Sequence, residues 1–169
     1  MGADAARFTY LLLSVDSPQT FDLDLVASQV NENPVFYVQY AHARIHSIVR
    51  RADEAGSRWG LPVDADLSLL VHPRELEILR ALHELPDAVE RACRERAPHQ
   101  VTTWVRELAS SFHGFYHDCR VLGDGVDPAT TTARLWLVEG ARIGLAVALD
   151  LLGVGAPTEM WRDPADGED

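Results

Sequence analysis

Asn31-Glu-Asn-Pro-Val-Phe-Tyr-Val-Gln-Tyr-Ala-His-Ala-Arg44 decides how the chain is read, because it opens a long helix with two unlike faces. Asn33 carries the side-chain acceptor of a good N-cap, and Pro34 suits the first helical position, where its missing N–H is no loss. Val38, Ala41, Ile45, Ile48, Val49 and Ala52 then recur at helical spacing as one apolar stripe. Tyr40, Arg44, Ser47 and Arg51 repeat on the opposite side and carry an aromatic ring and guanidinium groups away from the core. Tyr40 and Arg44 stand one turn apart, so ring and guanidinium can flank an unstacked base. The plainer alternative is a surface Tyr–Arg cation–π contact.

Working outward, the sequence predicts helices throughout. Residues 3–14 form a short one, ended by the 14–19 turn with Ser17-Pro18, and residues 22–31 form a second. The long helix runs from Pro34 to about Ala55, and 56–66 is a loop. His72-Pro73 opens a helix with Leu76, Leu79 and Leu82 on its buried side, and Leu85-Pro86-Asp87 starts another that runs to about Ala97. From Pro98 a long helix places Val101, Trp104, Val105, Leu108, Phe112, Phe115, Cys119 and Leu122 on one face. The last helix, 128–152, is apolar nearly all round. Leu135, Val138, Leu145, Leu149 and Leu152 line one side and Trp136, Ile143, Val147 and Leu151 the other, which predicts burial between neighbours. Gly140 and Gly144 would admit a close helix, and Gly153 is a natural C-cap. There is no strand-like alternation and no internal repeat, so the expected fold class is all-α, a helical bundle.

Composition narrows the class further. A chain of 169 residues that is 47% hydrophobic suits one folded domain. No apolar run approaches the roughly 18 residues of a membrane span. The N-terminus carries Asp4 and no basic region before it, unlike a secretory signal, so the expected setting is cytoplasmic, with no membrane partner. Cys93 and Cys119 each fall within a helical pattern and read as small buried residues rather than a disulfide. The formal net charge is −11, and every basic residue is arginine. That is a poor background for phosphate binding. Yet the 34–51 helix carries Arg44, Arg50 and Arg51 and no acid, while acids concentrate in 53–66 and in the 161–169 tail. A local basic face on an acidic protein is the result.

Catalytic chemistry is thinly supplied. There is no Gly-x-Ser-x-Gly setting and no Gly-rich phosphate loop, and a chain without lysine has no phosphate-binding lysine. His42 and His46, like His113 and His117, are spaced i, i+4, and the two pairs together could in principle make a four-histidine metal site. No acid or cysteine supports them at matching spacing, so no metal is expected.

The stretch from Asn31 to Arg44 resembles the signature helix of the C-terminal, DALR-type anticodon-binding domain of arginyl-tRNA synthetases. Asp4-Ala-Ala-Arg7 is similar to the motif that names the family, with Ala6 in place of leucine. Further matches follow in the family's order: Phe21-Asp-Leu-Asp-Leu25, Pro98-His99, Phe112-His-Gly-Phe-Tyr116, Cys119-Arg-Val-Leu122, Arg134-Leu135, Leu149-Asp-Leu-Leu-Gly-Val154, Ala156-Pro157 and Met160.

The resemblance implies a bundle of the class I synthetase anticodon-binding type. On that basis residues 1–30 are a helical lead-in at the junction with a catalytic domain, 31–160 the anticodon-binding bundle, and 161–169 an acidic, flexible tail. It implies arginine-accepting tRNA as partner, no DNA, and RNA contacts at Tyr40, Arg44, Tyr116 and Met160, to which Arg51 is added from the face it shares with Arg44. The catalytic machinery of a class I synthetase, with its His-Ile-Gly-His-like motif and lysine-bearing Lys-Met-Ser-Lys-Ser-like loop, does not occur here. The chain is therefore expected to be no enzyme alone and to hold no cofactor. ATP and magnesium would belong to a separate catalytic chain. A fragment, a subunit of a split enzyme and a free-standing relative all fit. The rival reading is a protein-interaction adaptor derived from the same bundle.

Overall fold

The computed structural model describes residues 2–57 and 59–160, so the 161–169 tail lies outside the described residues. Six helices account for most of them: α1 (Ala3–Tyr10), α2 (Leu23–Ala27), α3 (Pro34–Glu54), α4 (Pro73–Glu95), α5 (His99–Asp118) and α6 (Pro128–Leu151). Two 3₁₀ turns, Pro62–Asp64 and Leu67–Leu69, lie between α3 and α4. No strand occurs among the described residues, and α3, α4, α5 and α6 enclose one core, as an all-α bundle requires.

Asn33 explains both the start of α3 and the early end of α2. Its Oδ1 accepts from the Val35 N–H, the N-cap bond expected of it, while Nδ2 donates to the carbonyls of Val26 and Ser28. Those last two bonds take the carbonyls at the end of α2, which stops at Ala27 rather than near residue 31. α1 also ends early, at Tyr10, where the Gln19 side-chain amide donates to the Thr9 carbonyl. Both shortenings coincide with side-chain bonds from residues five to ten positions along the chain, which helix propensity does not encode.

The region around Pro86 departs most from expectation. In place of two helices there is one, α4, running through the proline. Ile78, Ala81, Ala88 and Ala92 are buried on one continuous stripe at spacings of three and four, with Leu85 packed against it. Pro86 lacks the N–H that would bond the Leu82 carbonyl, a defect worth about 3 kcal/mol. Burial of the whole stripe against α5 and α6 offsets it, aided by Trp104 Nε1–H donating to the Ala81 carbonyl at 2.7 Å. The buried face is therefore not Leu76–Leu79–Leu82: Leu79 is exposed and Leu76 half-buried. Cys93, one position off the stripe, is exposed instead of buried, whereas Cys119 is buried as expected; both thiols are free.

α6 is likewise not buried all round. Leu135, Val138, Leu145 and Leu149 are fully enclosed, but Ile143, Val147 and Leu151 are 50%, 42% and 55% exposed, because the helices it packs against lie on its other side. Gly144 is where α4 and α5 come closest. A Cβ there would stand 2.9 Å from a Leu82 methyl and 3.2 Å from both Leu108 and Trp104.

Two polar devices lock the bundle. Glu75 completes a capping box by accepting from the His72 N–H, and its other oxygen accepts from Arg134 Nε at 2.6 Å, joining α4 to α6. Its side chain is 1% exposed. After α6, Gly153 turns the chain at φ +66°, and residues 153–157 are stitched onto α1 and α3. Arg7 donates to the Gly153 carbonyl, Asp4 accepts from the Gly155 N–H, Gln39 donates to the Gly155 carbonyl, and His42 Nδ1–H donates to the Pro157 carbonyl at 2.8 Å.

Glu75→Ala should cost about 3–5 kcal/mol in urea denaturation, since it strands a mostly buried guanidinium, whereas Glu77→Ala should cost under about 1 kcal/mol. Burial is the main cause holding the pKa of both His42 and His46 below the usual histidine value, with the Arg142 charge adding to it. The unfolded chain therefore takes up protons first, near pH ~6.5, and stability should fall as pH drops from about 6.5 toward 5.5. Urea midpoints across that range test this, and His46→Gln should make the fall shallower.

Candidate RNA-binding site

The outer face of α3 does not simply meet solvent. Tyr40, Arg44 and Ser47 are half-buried, because the end of α5 and the segment after α6 close over them. The result is a cavity of about 350 Å³. Its walls bring together Tyr40, Arg44 and Arg51 from α3, Tyr116 from α5 and Met160 from beyond α6, all five residues singled out from sequence. Ala43, Ile48 and Arg50 complete the α3 side, and Glu159 stands beside Met160.

Arg44 is the centre of this arrangement. Its guanidinium carbon lies 4.6 Å from the centroid of the Tyr40 ring and 4.3 Å from that of Tyr116. Nη2 also donates to the Tyr40 hydroxyl at 2.8 Å. The two rings are themselves fixed from behind. Tyr40 stacks on Phe36 at 5.6 Å and lies near-parallel to His113 at 6.2 Å, while Tyr116 tilts against Phe112. Phe36 and Phe112 belong to the buried set. A guanidinium held this way has lost most of its rotamer freedom and presents its remaining N–H groups in a fixed plane.

The cavity is positively biased on an acidic protein. It has Arg44, Arg50 and Arg51 against Glu159, which pairs with Arg50 at 3.2 Å near the surface. Arg51 is exposed and makes no ion pair among the described residues. It lines this cavity and an adjoining one of about 510 Å³, as do Ile48 and Tyr116. Glu159 escaped the sequence reading, and the only available signal was its place next to Met160. The tether that brings both residues to α3 also went unread, although Asp4 and Arg7 had been noted as a motif.

The four paired histidines have separate duties. His42 bonds Pro157 and packs edge-on to His46, His113 lies against Tyr37 and its Nε2 meets the Tyr37 carbonyl, and His117 Nδ1–H donates to Asp118. Among the described residues, no three His, Cys, Asp or Glu side chains gather as a ligand set. None of the described helices is long and apolar enough to cross a membrane.

Comparison with known proteins agrees with this geometry. The family described as the DALR anticodon binding domain matches residues 38–160, a span that includes the whole cavity lining. An arginine–tRNA ligase of Frankia alni is 49% identical over 95% of this chain, and one of Moorella thermoacetica is 49% identical over 95%. The chain spans only 29% and 28% of those two relatives. The solved arginyl-tRNA synthetase of Thermus thermophilus superposes with a TM-score of 0.75 at 32% identity, over 93% of this chain and 26% of that one. In fold and in sequence, the chain belongs to the DALR anticodon-binding domain family of the arginyl-tRNA synthetases.

Proposed function

We propose that the chain binds the anticodon stem-loop of arginine-accepting tRNA and takes the middle base of the anticodon into the Tyr40–Arg44–Tyr116 cavity. Every arginine codon has G in the middle, so every arginine tRNA presents cytosine there, and one pocket serves them all. The observation that carries the reading is the Arg44 guanidinium stacked between two tyrosine rings at the wall of that cavity. Aromatic and guanidinium planes are what an unstacked base packs against, at roughly 1–3 kcal/mol per base. The fixed N–H groups of Arg44 are donors suited to the O2 and N3 acceptors of cytosine. Arg51, exposed between two adjoining cavities, serves the phosphate backbone, and Met160 supplies an adaptable apolar contact.

The chain carries no machinery for arginine activation. It supports arginyl-tRNA formation with a catalytic region supplied elsewhere, where ATP and magnesium bind. The acidity of the whole protein limits non-specific attraction and leaves binding to the local arginine face.

Fluorescence titration with an arginine anticodon stem-loop tests this. Binding should fall steeply with salt, as counterions are released at each phosphate contact. Arg44→Ala should weaken binding by about tenfold or more and abolish preference for a middle cytosine. Arg51→Ala should weaken all sequences alike and reduce the log–log salt slope by about 1. Salt-insensitive binding, or an Arg44→Ala variant that binds as wild type, would replace this reading with that of a protein-interaction adaptor.

A further inference from the structure

The carboxylate of Glu159 is out of place in a cavity proposed to receive part of an anionic RNA. Among the described residues it is the one acid in the lining, and it opposes an anionic ligand at the mouth of the site. It also neutralises Arg50, at 3.2 Å, removing a cation that could otherwise meet phosphate. Its side chain is 64% exposed, so it holds no part of the core together. A group that weakens backbone binding and stabilises little has a natural use in reading a base.

The hydrogen-bonding inventory of the cavity points the same way. Arg44, Arg50 and Arg51 only donate. The Tyr40 hydroxyl already accepts from Arg44, the Ser47 hydroxyl donates to the Ala43 carbonyl, and the Tyr116 hydroxyl is a neutral group that can donate as well as accept. Among the described residues of the lining, ionised Glu159 is the one charged acceptor, and so the strongest. Cytosine presents an amino donor at N4 beside acceptors at N3 and O2. Uracil replaces that donor with a carbonyl oxygen.

Resting on the base-reading role proposed above, we infer that Glu159 is the specificity-determining residue of the cavity, accepting a hydrogen bond from the exocyclic amino group of the bound cytosine while Arg44 donates to the ring acceptors. Carboxylate acceptance from cytosine N4 is an established pairing in base readout. Uracil would set its O4 against the carboxylate, so rejection is built from repulsion as well as a lost bond. The Arg50 ion pair positions the carboxylate before the base arrives.

The test uses the full chain and three anticodon stem-loops that differ only at the middle base: cytosine, uracil, and 2-pyrimidinone, which lacks the amino group but keeps N3 and O2. Wild type should bind the cytosine form about tenfold more tightly than the 2-pyrimidinone form, with uracil weaker still. Glu159→Ala, which removes the acceptor altogether, should bring the cytosine to 2-pyrimidinone ratio below about twofold, while overall affinity holds or rises as repulsion is relieved. Arg50→Ala, which removes the pairing partner, should keep the ratio above about fivefold. A Glu159→Ala ratio equal to wild type would overturn the role of Glu159 and leave base reading by Arg44 intact. Wild type that binds all three forms equally, or none, would overturn the cavity as a base reader and this inference with it.

Discussion

The segment after α6 has no secondary structure to satisfy its backbone, and the site depends on how that backbone is satisfied. Its carbonyls and an N–H are taken up by Arg7 and Asp4 from α1 and by Gln39 and His42 from α3. Most of these bonds are exposed, so no one of them is decisive; together, four side chains from two helices fix the path of the chain. Two and three residues beyond Pro157 stand Glu159 and Met160, the far wall of the cavity. The tether thus couples the first helix of the chain to a site built mainly on the third. It also accounts for a buried histidine in the middle of α3, whose ring reaches a carbonyl more than a hundred residues away in sequence.

The same helix therefore serves two ends at once. One face of α3 delivers Val38, Ala41, Ile45, Ile48 and Ala52 to the core. The other would be an ordinary polar face if α5 did not bring Tyr116 over Arg44. Rigidity comes from the rings behind the site, which are packed against buried phenylalanines. On the proposed reading, a base entering the cavity would meet a guanidinium already oriented, with little side-chain entropy left to lose on binding. The protein's net charge of −11 is compatible with this because the arginines are local and most acids lie elsewhere in sequence.

Much of this was legible in sequence for physical reasons. The periodicity of α3 and its Asn33-Pro34 start are strong local signals, and the α3 stripe is buried almost residue for residue, Val49 being only partly covered. The four site residues carried by resemblance, with Arg51 added from helical spacing, line one cavity. What could not be read was whatever depends on distant partners. Pro86 is a local break signal that lost to the burial of a stripe continuing on both sides of it. Ile143, Val147 and Leu151 looked buried because hydrophobicity records what a face could bury and says nothing about whether a neighbour is there. α1 and α2 stop where Gln19 and Asn33 reach across to their carbonyls, which no window of the sequence shows.

A cytosine entering the cavity would come against Met160, whose side chain can report it. The chain has two methionines, so the Met160 methyl can be followed by NMR as the stem-loop is added. The account predicts a saturable shift of that methyl with a middle cytosine and a much smaller one when the same position is uracil. A Met160 signal that stays still, or that moves identically with both, would contradict it.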